Sequence, residues 1–264
     1  MKNLNTLKTL MITATLLAAG GSAMAQATLD HNKALAGNSL PGDAPGYPIT
    51  LSQPGHYVLK SNLQVPAGLN GIEITGKNVT LDLNGFGIMG TGDCIRNDST
   101  KVVTCTGTVG SPIGVRVVAD AVTIRNGTVS GFEFGIDLVY LGNGTQGGVV
   151  LADLLLTRNL RYGLASNASK GPHLRASGLI ATLNGENGMR VSNGLIERSQ
   201  ANNNGGDGFD LNSQVVSLLD SFAYGNRFAG VRNGVLRGVN VQLNGTNRIG
   251  GLSMGGNMDG GMQF

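Results

Sequence analysis

Along the second half of the chain, an Asn stands four positions before a Gly, and an apolar residue follows the Gly. The copies are Asn159…Gly163-Leu164, Asn184…Gly188-Met189, Asn204…Gly208-Phe209, Asn226…Gly230-Val231 and Asn247…Gly251-Leu252. The Gly-to-Gly steps are 25, 20, 22 and 21 residues. A period of this length predicts a solenoid, in which each repeat is one supersecondary unit. The apolar-x-apolar form extends backward to Gly71-Ile72-Glu73-Ile74, Gly114-Val115-Arg116-Val117 and Gly135-Ile136-Asp137-Leu138, and Cys94-Ile95-Arg96 fills the same slot with Cys in place of Gly. The anchors 71, 94, 114, 135, 163, 188, 208, 230 and 251 predict about nine coils.

Within each coil the apolar runs are short and separated by Asn, Gly and Ser, as in Met189-Arg190-Val191 followed by Leu195-Ile196-Glu197-Arg198. Such runs read as strands and turns, not helices. A coil of this kind buries its apolar face only by stacking on its neighbours. Asn suits a turn because it tolerates left-handed backbone, and one Asn per coil also lets side-chain amides bond one another along the axis. The Gly four residues later permits positive φ or a close approach where one face turns into the next. The steps from 135 to 163 and from 163 to 188 are long, which predicts loops near Tyr140-Leu141-Gly142-Asn143-Gly144 and Ser169-Lys170-Gly171-Pro172-His173. Loops over a rigid solenoid are a usual place for binding function.

The first 25 residues read as a signal peptide: Lys2 and Lys8, an apolar stretch from Leu10 to Ala19, and Ala23-Met24-Ala25 as cleavage site. Nothing later reaches about 18 consecutive apolar residues, so we expect an exported protein, periplasmic or secreted, with no integral membrane segment. The expected layout is a signal peptide over 1–25, an N-terminal segment and cap over 26–64, a β-helix over 65–255 and a Gly/Met-rich tail over 256–264. A monomer is expected. The formal charge is +3 over the whole sequence, and Lys2 and Lys8 supply part of it. No Lys/Arg cluster is present, which argues against nucleic acid. Gly is abundant at 43 residues, but it falls in register and so reads as turn chemistry. In an exported chain the two Cys, Cys94 and Cys105, are expected to pair as a disulfide across a short polar loop.

The pattern resembles the right-handed parallel β-helix of the pectin-lyase-like superfamily, an all-β solenoid. Within it, the chain is most similar to exported bacterial parallel β-helix repeat proteins of uncharacterised activity. Three blocks carry the resemblance best: Pro54-Gly55-His56-Tyr57-Val58-Leu59, Asn70-Gly71-Ile72-Glu73-Ile74 and Asn78-Val79-Thr80-Leu81-Asp82-Leu83-Asn84-Gly85-Phe86. It covers about residues 45–255 and is specific for fold only. The superfamily includes pectate lyases, polygalacturonases, alginate epimerases and lyases, phage tailspikes and periplasmic accessory proteins, and a shared fold does not fix a shared activity.

The frame sets which residues face outward. Two positions after each anchor, the side chain points away from the core, giving the column Glu73, Arg96, Arg116, Asp137, Ala165, Arg190, Asp210, Arg232 and Ser253. A second alternating column is Asp153, Gly178, Arg198 and Asp220. Alternating signs predict charge pairing along the axis. They also offer a groove whose Arg residues hold uronate carboxylates. A lyase needs a base for the C5 proton and a cation for the uronate, and Arg190 with Asp210 is the best catalytic pair. Asp137, Tyr162, Arg232 and Arg116 are the substrate-binding candidates. Tyr162 is the nearest acid for an epimerase and stands beside Phe134 on the adjacent coil, where turn packing is the plainer reading.

Several motifs are missing. The alginate epimerase Tyr-Gly-Phe-Asp-Pro-His-Asp, the polygalacturonase Gly-His-Gly and Arg-x-Lys, and the pectate-lyase Asp-His pattern do not occur in the repeats. Hydrolysis would need a carboxylate pair; Asp207 and Asp210 lie on one coil, but Asp207 sits in a turn. Gly205-Gly206-Asp207-Gly208-Phe209-Asp210 matches the start of a calcium nonapeptide but occurs once, so no cofactor is expected and calcium is a weak alternative. These readings favour an exported β-helix that binds polysaccharide or a cell-envelope glycan without catalysis. The alternatives are a lyase or C5-epimerase on uronic-acid polymers and a structural or assembly accessory.

Overall fold

The structure is a computed structural model that describes residues 26–37, 39–41, 44–107, 110–139, 148–166, 173–212 and 215–264. The signal-peptide segment and both anticipated loops lie outside these residues, His173 excepted. Two sheets of stacked parallel strands form a parallel β-helix. Sheet I has nine strands in chain order: Ile49–Leu51, Ile72–Ile74, Ile113–Val117, Phe134–Leu138, Tyr162–Ser166, Met189–Val191, Phe209–Leu211, Ala229–Arg232 and Thr246–Ile249. Sheet II has eighteen strands and covers two further faces of the solenoid. One coil shows the route. Met189–Val191 lies in sheet I, Gly194–Glu197 and Gln200–Asn202 lie on the two faces of sheet II, and Phe209–Leu211 returns to sheet I beside Met189–Val191.

The apolar-x-apolar triads explain the stacking. In each triad the flanking residues are sealed into one core: Ile72 and Ile74, Ile136, Met189 and Val191, and Phe209 and Leu211 are all fully buried. The residue between them faces out, because successive side chains of a strand alternate. Burying each of these side chains contributes roughly 1.5–3 kcal/mol. The repeat therefore holds the fold mainly through its apolar columns.

Three anticipated features differ. Cys94 is not an anchor, because Val115 pairs directly with Ile72 across sheet I. Residues 93–106 form instead an antiparallel hairpin, Asp93–Arg96 with Val103–Thr106, inserted into one coil. Cys94 and Cys105 face each other across it and are disulfide-bonded. Ile95 is exposed where a core triad would bury it, which removes Arg96 from the outward column.

Gly251 is likewise not an anchor. The last strand of sheet I pairs Thr246 with Ala229 and Arg248 with Val231, so Asn247 stands where earlier coils have Gly. The outward position there is Ile249, not Ser253. Arg248 takes the position aligned with the core residue Val231, and its guanidinium lies over the Phe264 ring at 4.3 Å. Thus the Gly/Met tail is ordered against the end of the solenoid, with Asn257 fully buried and accepting from the Val239 amide at 2.9 Å. At the other end, Gln26–Leu29 pairs with His56–Leu59, and Ile49–Leu51 stacks on Ile72–Ile74. Thr50 therefore precedes Glu73 in the outward column. A short helix, His31–Ala36, packs Ala34 into the core; its N-cap Asp30 accepts from the Lys33 amide.

The second charged column is also something else. Asp153, Gly178, Arg198 and Asp220 all have positive φ, between 46° and 67°. They are left-handed bends where one face of sheet II turns into the other, and backbone geometry, not charge balance, selects the position.

Candidate functional site

The repeated Asn fixes the frame for the outer wall. Asn159 Nδ2 donates to Asn184 Oδ1 at 3.0 Å, Asn184 to Asn204 at 2.9 Å, Asn204 to Asn226 at 2.9 Å and Asn226 to Asn244 at 2.8 Å. Asn244 then donates to Asn247, which ends the ladder at 3.1 Å. The second hydrogen of each of these five amides goes to a backbone carbonyl of an earlier strand, as from Asn204 to Ala181 O. Asn159, Asn184, Asn204 and Asn226 are fully buried, so every hydrogen bond they lack would be uncompensated. The left-handed residue is not the Asn but the one before it: Arg158, Leu183, Asn203, Gly225 and Leu243. The anchor Gly serves close approach. A Cβ on Gly188 would stand 2.8 Å from Asn204 Nδ2, and one on Gly208 would stand 2.7 Å from Asn226 Nδ2.

With that corner fixed, sheet I presents one continuous outward column: Thr50, Glu73, Arg116, Asp137, Ala165, Arg190, Asp210, Arg232 and Ile249. Beside it runs Phe134, in register with Tyr162. Their rings are 5.5 Å apart and tilted, and the Arg161 guanidinium lies 5.4 and 5.0 Å from the two centroids.

Arg190, Asp210 and Tyr162 come together as anticipated. Arg190 Nε lies 3.5 Å from Asp210 Oδ2, an ion pair without hydrogen-bond alignment. Arg190 Nη1 donates to the Tyr162 hydroxyl at 3.2 Å and its guanidinium stands 5.7 Å from that ring. Asp210 Oδ2 also accepts from Asn187 Nδ2 at 3.1 Å. Burial pushes the Asp210 carboxyl above the usual range; Arg190 opposes this, and the nearby Asp207 adds to it. Tyr162 is almost wholly covered, its hydroxyl taken by Arg161 and Arg190, so it packs the turn and supports the two guanidiniums.

Arg232, the rung beside Asp210, is held by a different carboxylate. It pairs with Asp207, Nε to Oδ2 at 2.7 Å and Nη2 to Oδ1 at 3.2 Å. Asp207 Oδ1 also accepts from the Ala229 amide at 2.7 Å. Both oxygens of the calcium-like Asp207 are thus engaged by protein donors, which also explains why a carboxylate tolerates near-complete burial there. Among the described residues, no group of three His, Cys, Asp or Glu is placed to hold a metal ion.

Arg116 stands 3.7 Å from Glu73. Asp137, the next rung, has neither a hydrogen bond nor an ion pair among the described residues. Its carboxyl is pushed up by burial, with only the Arg116 charge opposing. Between Asp137 and Arg190 the column narrows to Ala165, which is fully buried. Arg161 bridges Glu186, Nε to Oε1 at 2.9 Å, and Glu133, Nη1 to Oε1 at 3.4 Å. Arg161, Glu133 and Glu186 sit outside the repeat slots, so the frame did not single them out.

The chain matches no protein-family model and no curated protein. Among solved structures it is similar to the pectate lyase Pel9A at 15% identity and a TM-score of 0.43, over 90% of this chain and 79% of that one. It is also similar to the Dettilon tailspike protein at 15% identity and a TM-score of 0.39, over 75% of this chain and 46% of that one. Neither bears on activity; the strand register itself establishes the parallel β-helix.

Proposed function

We propose that this protein binds a cell-envelope glycan on the outer wall of sheet I without cleaving it. One observation carries the reading. Arg116, Arg161, Arg190 and Arg232 each already hold a carboxylate, and among the described residues Asp137 is the carboxylate of this wall with no hydrogen bond or ion pair. A wall of pre-formed pairs offers fixed hydrogen-bonding groups at little ordering cost. It offers no free acid and base set across a bond. Carboxylates also outnumber guanidiniums there: Glu73, Glu133, Asp137, Glu186, Asp207 and Asp210 against the four Arg. A uniformly anionic uronate polymer would meet net repulsion, whereas a glycan bearing groups of both signs would not. The disulfide supports export, since such bonds persist in oxidising compartments.

The test is sedimentation with purified peptidoglycan sacculi, with pectate and alginate as comparators. The expected result is binding to sacculi that weakens with added salt and is lost in Arg190→Ala. Binding that survives Arg190→Ala unchanged would remove sheet I from the account. A second reading, proton abstraction from a uronate, has its own support in the raised Asp210 carboxyl beside Arg190. It requires unsaturated-uronate absorbance from pectate or alginate, and no signal with or without calcium rules it out for those polymers.

A further inference from the structure

The strands Ile180–Thr182, Gln200–Asn202, Phe222–Tyr224 and Asn240–Gln242 stack in register on one face of sheet II. Their central residues, Ala181, Ala201, Ala223 and Val241, are fully buried. The first and third residue of each strand therefore face outward. Three successive rungs then form a grid with no charged member: Gln200 and Asn202, Phe222 and Tyr224, Asn240 and Gln242. At a rung spacing of about 4.8 Å and about 6.6 Å between alternate residues, the grid covers about 10 by 7 Å, the footprint of a sugar ring or two.

We propose that this grid is a binding site for a neutral glycan, distinct from the charged wall of sheet I. The Phe222 and Tyr224 rings stack on each other, with centroids 6.1 Å apart and planes 17° apart, and so brace one another as one aromatic platform. Tyr224 is 36% exposed, whereas Tyr47, Tyr57, Phe132, Tyr162 and Phe209 are buried. Amides flank the platform on both adjacent rungs, and an amide both donates and accepts, as paired sugar hydroxyls require. Two of them are incompletely used: the Oδ1 atoms of Asn202 and Asn240 are covered yet have no hydrogen-bond donor among the described residues. Buried acceptors are normally satisfied.

The disulfide hairpin forms a wall beside the platform. Arg96 Nη2 donates to Gly225 O at 3.2 Å and Lys101 Nζ donates to Leu243 O, anchoring the hairpin over two adjacent rungs. With Asp98 and Tyr224 these residues line a groove of about 400 Å³. A braced aromatic pair, amide rims and one polar wall suit the apolar face and hydroxyl edge of a pyranose.

The test is affinity electrophoresis of the oxidised protein in gels containing hydroxyethyl cellulose, xyloglucan or galactomannan. At least one polymer is expected to retard the wild type, with little effect of salt. Tyr224→Ala is expected to weaken that retardation about tenfold or more, since a stacked ring supplies much of the contact. Gln242→Ala, a change at a partly exposed rim residue, should weaken it several-fold with an unchanged urea midpoint. Arg190→Ala should leave it intact, which keeps this site separable from the one on sheet I. Retardation by none of the three polymers, or retardation unaffected by both Tyr224→Ala and Gln242→Ala, would overturn the proposal.

Discussion

Two polar columns run along this solenoid, and they obey opposite rules. The inner one is Asn159, Asn184, Asn204, Asn226 and Asn244, the same residue on five successive rungs. The outer one is Glu73, Arg116, Asp137, Ala165, Arg190, Asp210 and Arg232, which changes from rung to rung. In the inner column each amide must donate to the next rung and to a carbonyl while accepting from the rung before. Only Asn has that reach and that set of donors and acceptors. In the outer column water satisfies whatever the neighbours leave, so composition is free to vary. The difference assigns the inner column to the fold and leaves the outer one free for the recognition proposed above.

The largest expected effect comes from cutting the inner column. Asn204→Ala removes two donors and an acceptor and leaves Asn184 and Asn226 unsatisfied in the core. Each buried orphan costs about 1–3 kcal/mol, so urea unfolding is expected to show a loss of at least about 3 kcal/mol. Gly208→Ala tests the same column from its other side. Its Cβ would stand 2.6 Å from Gly230 O and 2.7 Å from Asn226 Nδ2, neither of which yields cheaply. Overpacking of this kind costs about 1–3 kcal/mol; a neutral result would show that the Gly repeat does not serve the ladder.

The outer column should respond in the opposite direction. Burial raises the Asp137 carboxyl above its unfolded value, so the folded state holds this proton more tightly. Stability at this site is then greatest in acid and falls as pH rises through the raised folded value. Asp137→Asn is expected to raise the urea midpoint at neutral pH, with the gain vanishing below about pH 3, where the wild-type group is protonated in both states. A variant that is less stable at neutral pH would show that Asp137 has a structural role.

The sequence frame found the solenoid, the ladder and most of the outer column because each repeats, and repetition is visible without a structure. It placed Cys94 and Gly251 wrongly because both mimic the repeat locally. Cys94 stands in an insertion, and Gly251 lies past the last strand of sheet I, so register alone decides. The αL bends at Asp153, Arg198 and Asp220 read as charges because side-chain type hides a backbone requirement. The Arg161 bridge and the Phe222–Tyr224 platform escaped notice because neither occupies a repeat slot; three-residue alternation around Ala201, Ala223 and Val241 was the available signal. Pairing was the least legible part. Asp207, not Asp210, holds Arg232, and that depends on side-chain direction at a turn.

The division of labour between the columns is tested most directly by urea unfolding of the double variant Arg190→Ala/Asp210→Asn. Partly exposed ion pairs contribute about 0–1 kcal/mol, so the double variant is expected to unfold within about 1 kcal/mol of the wild type. A loss of about 3 kcal/mol, matching Asn204→Ala, would contradict the account and make the outer column part of the scaffold.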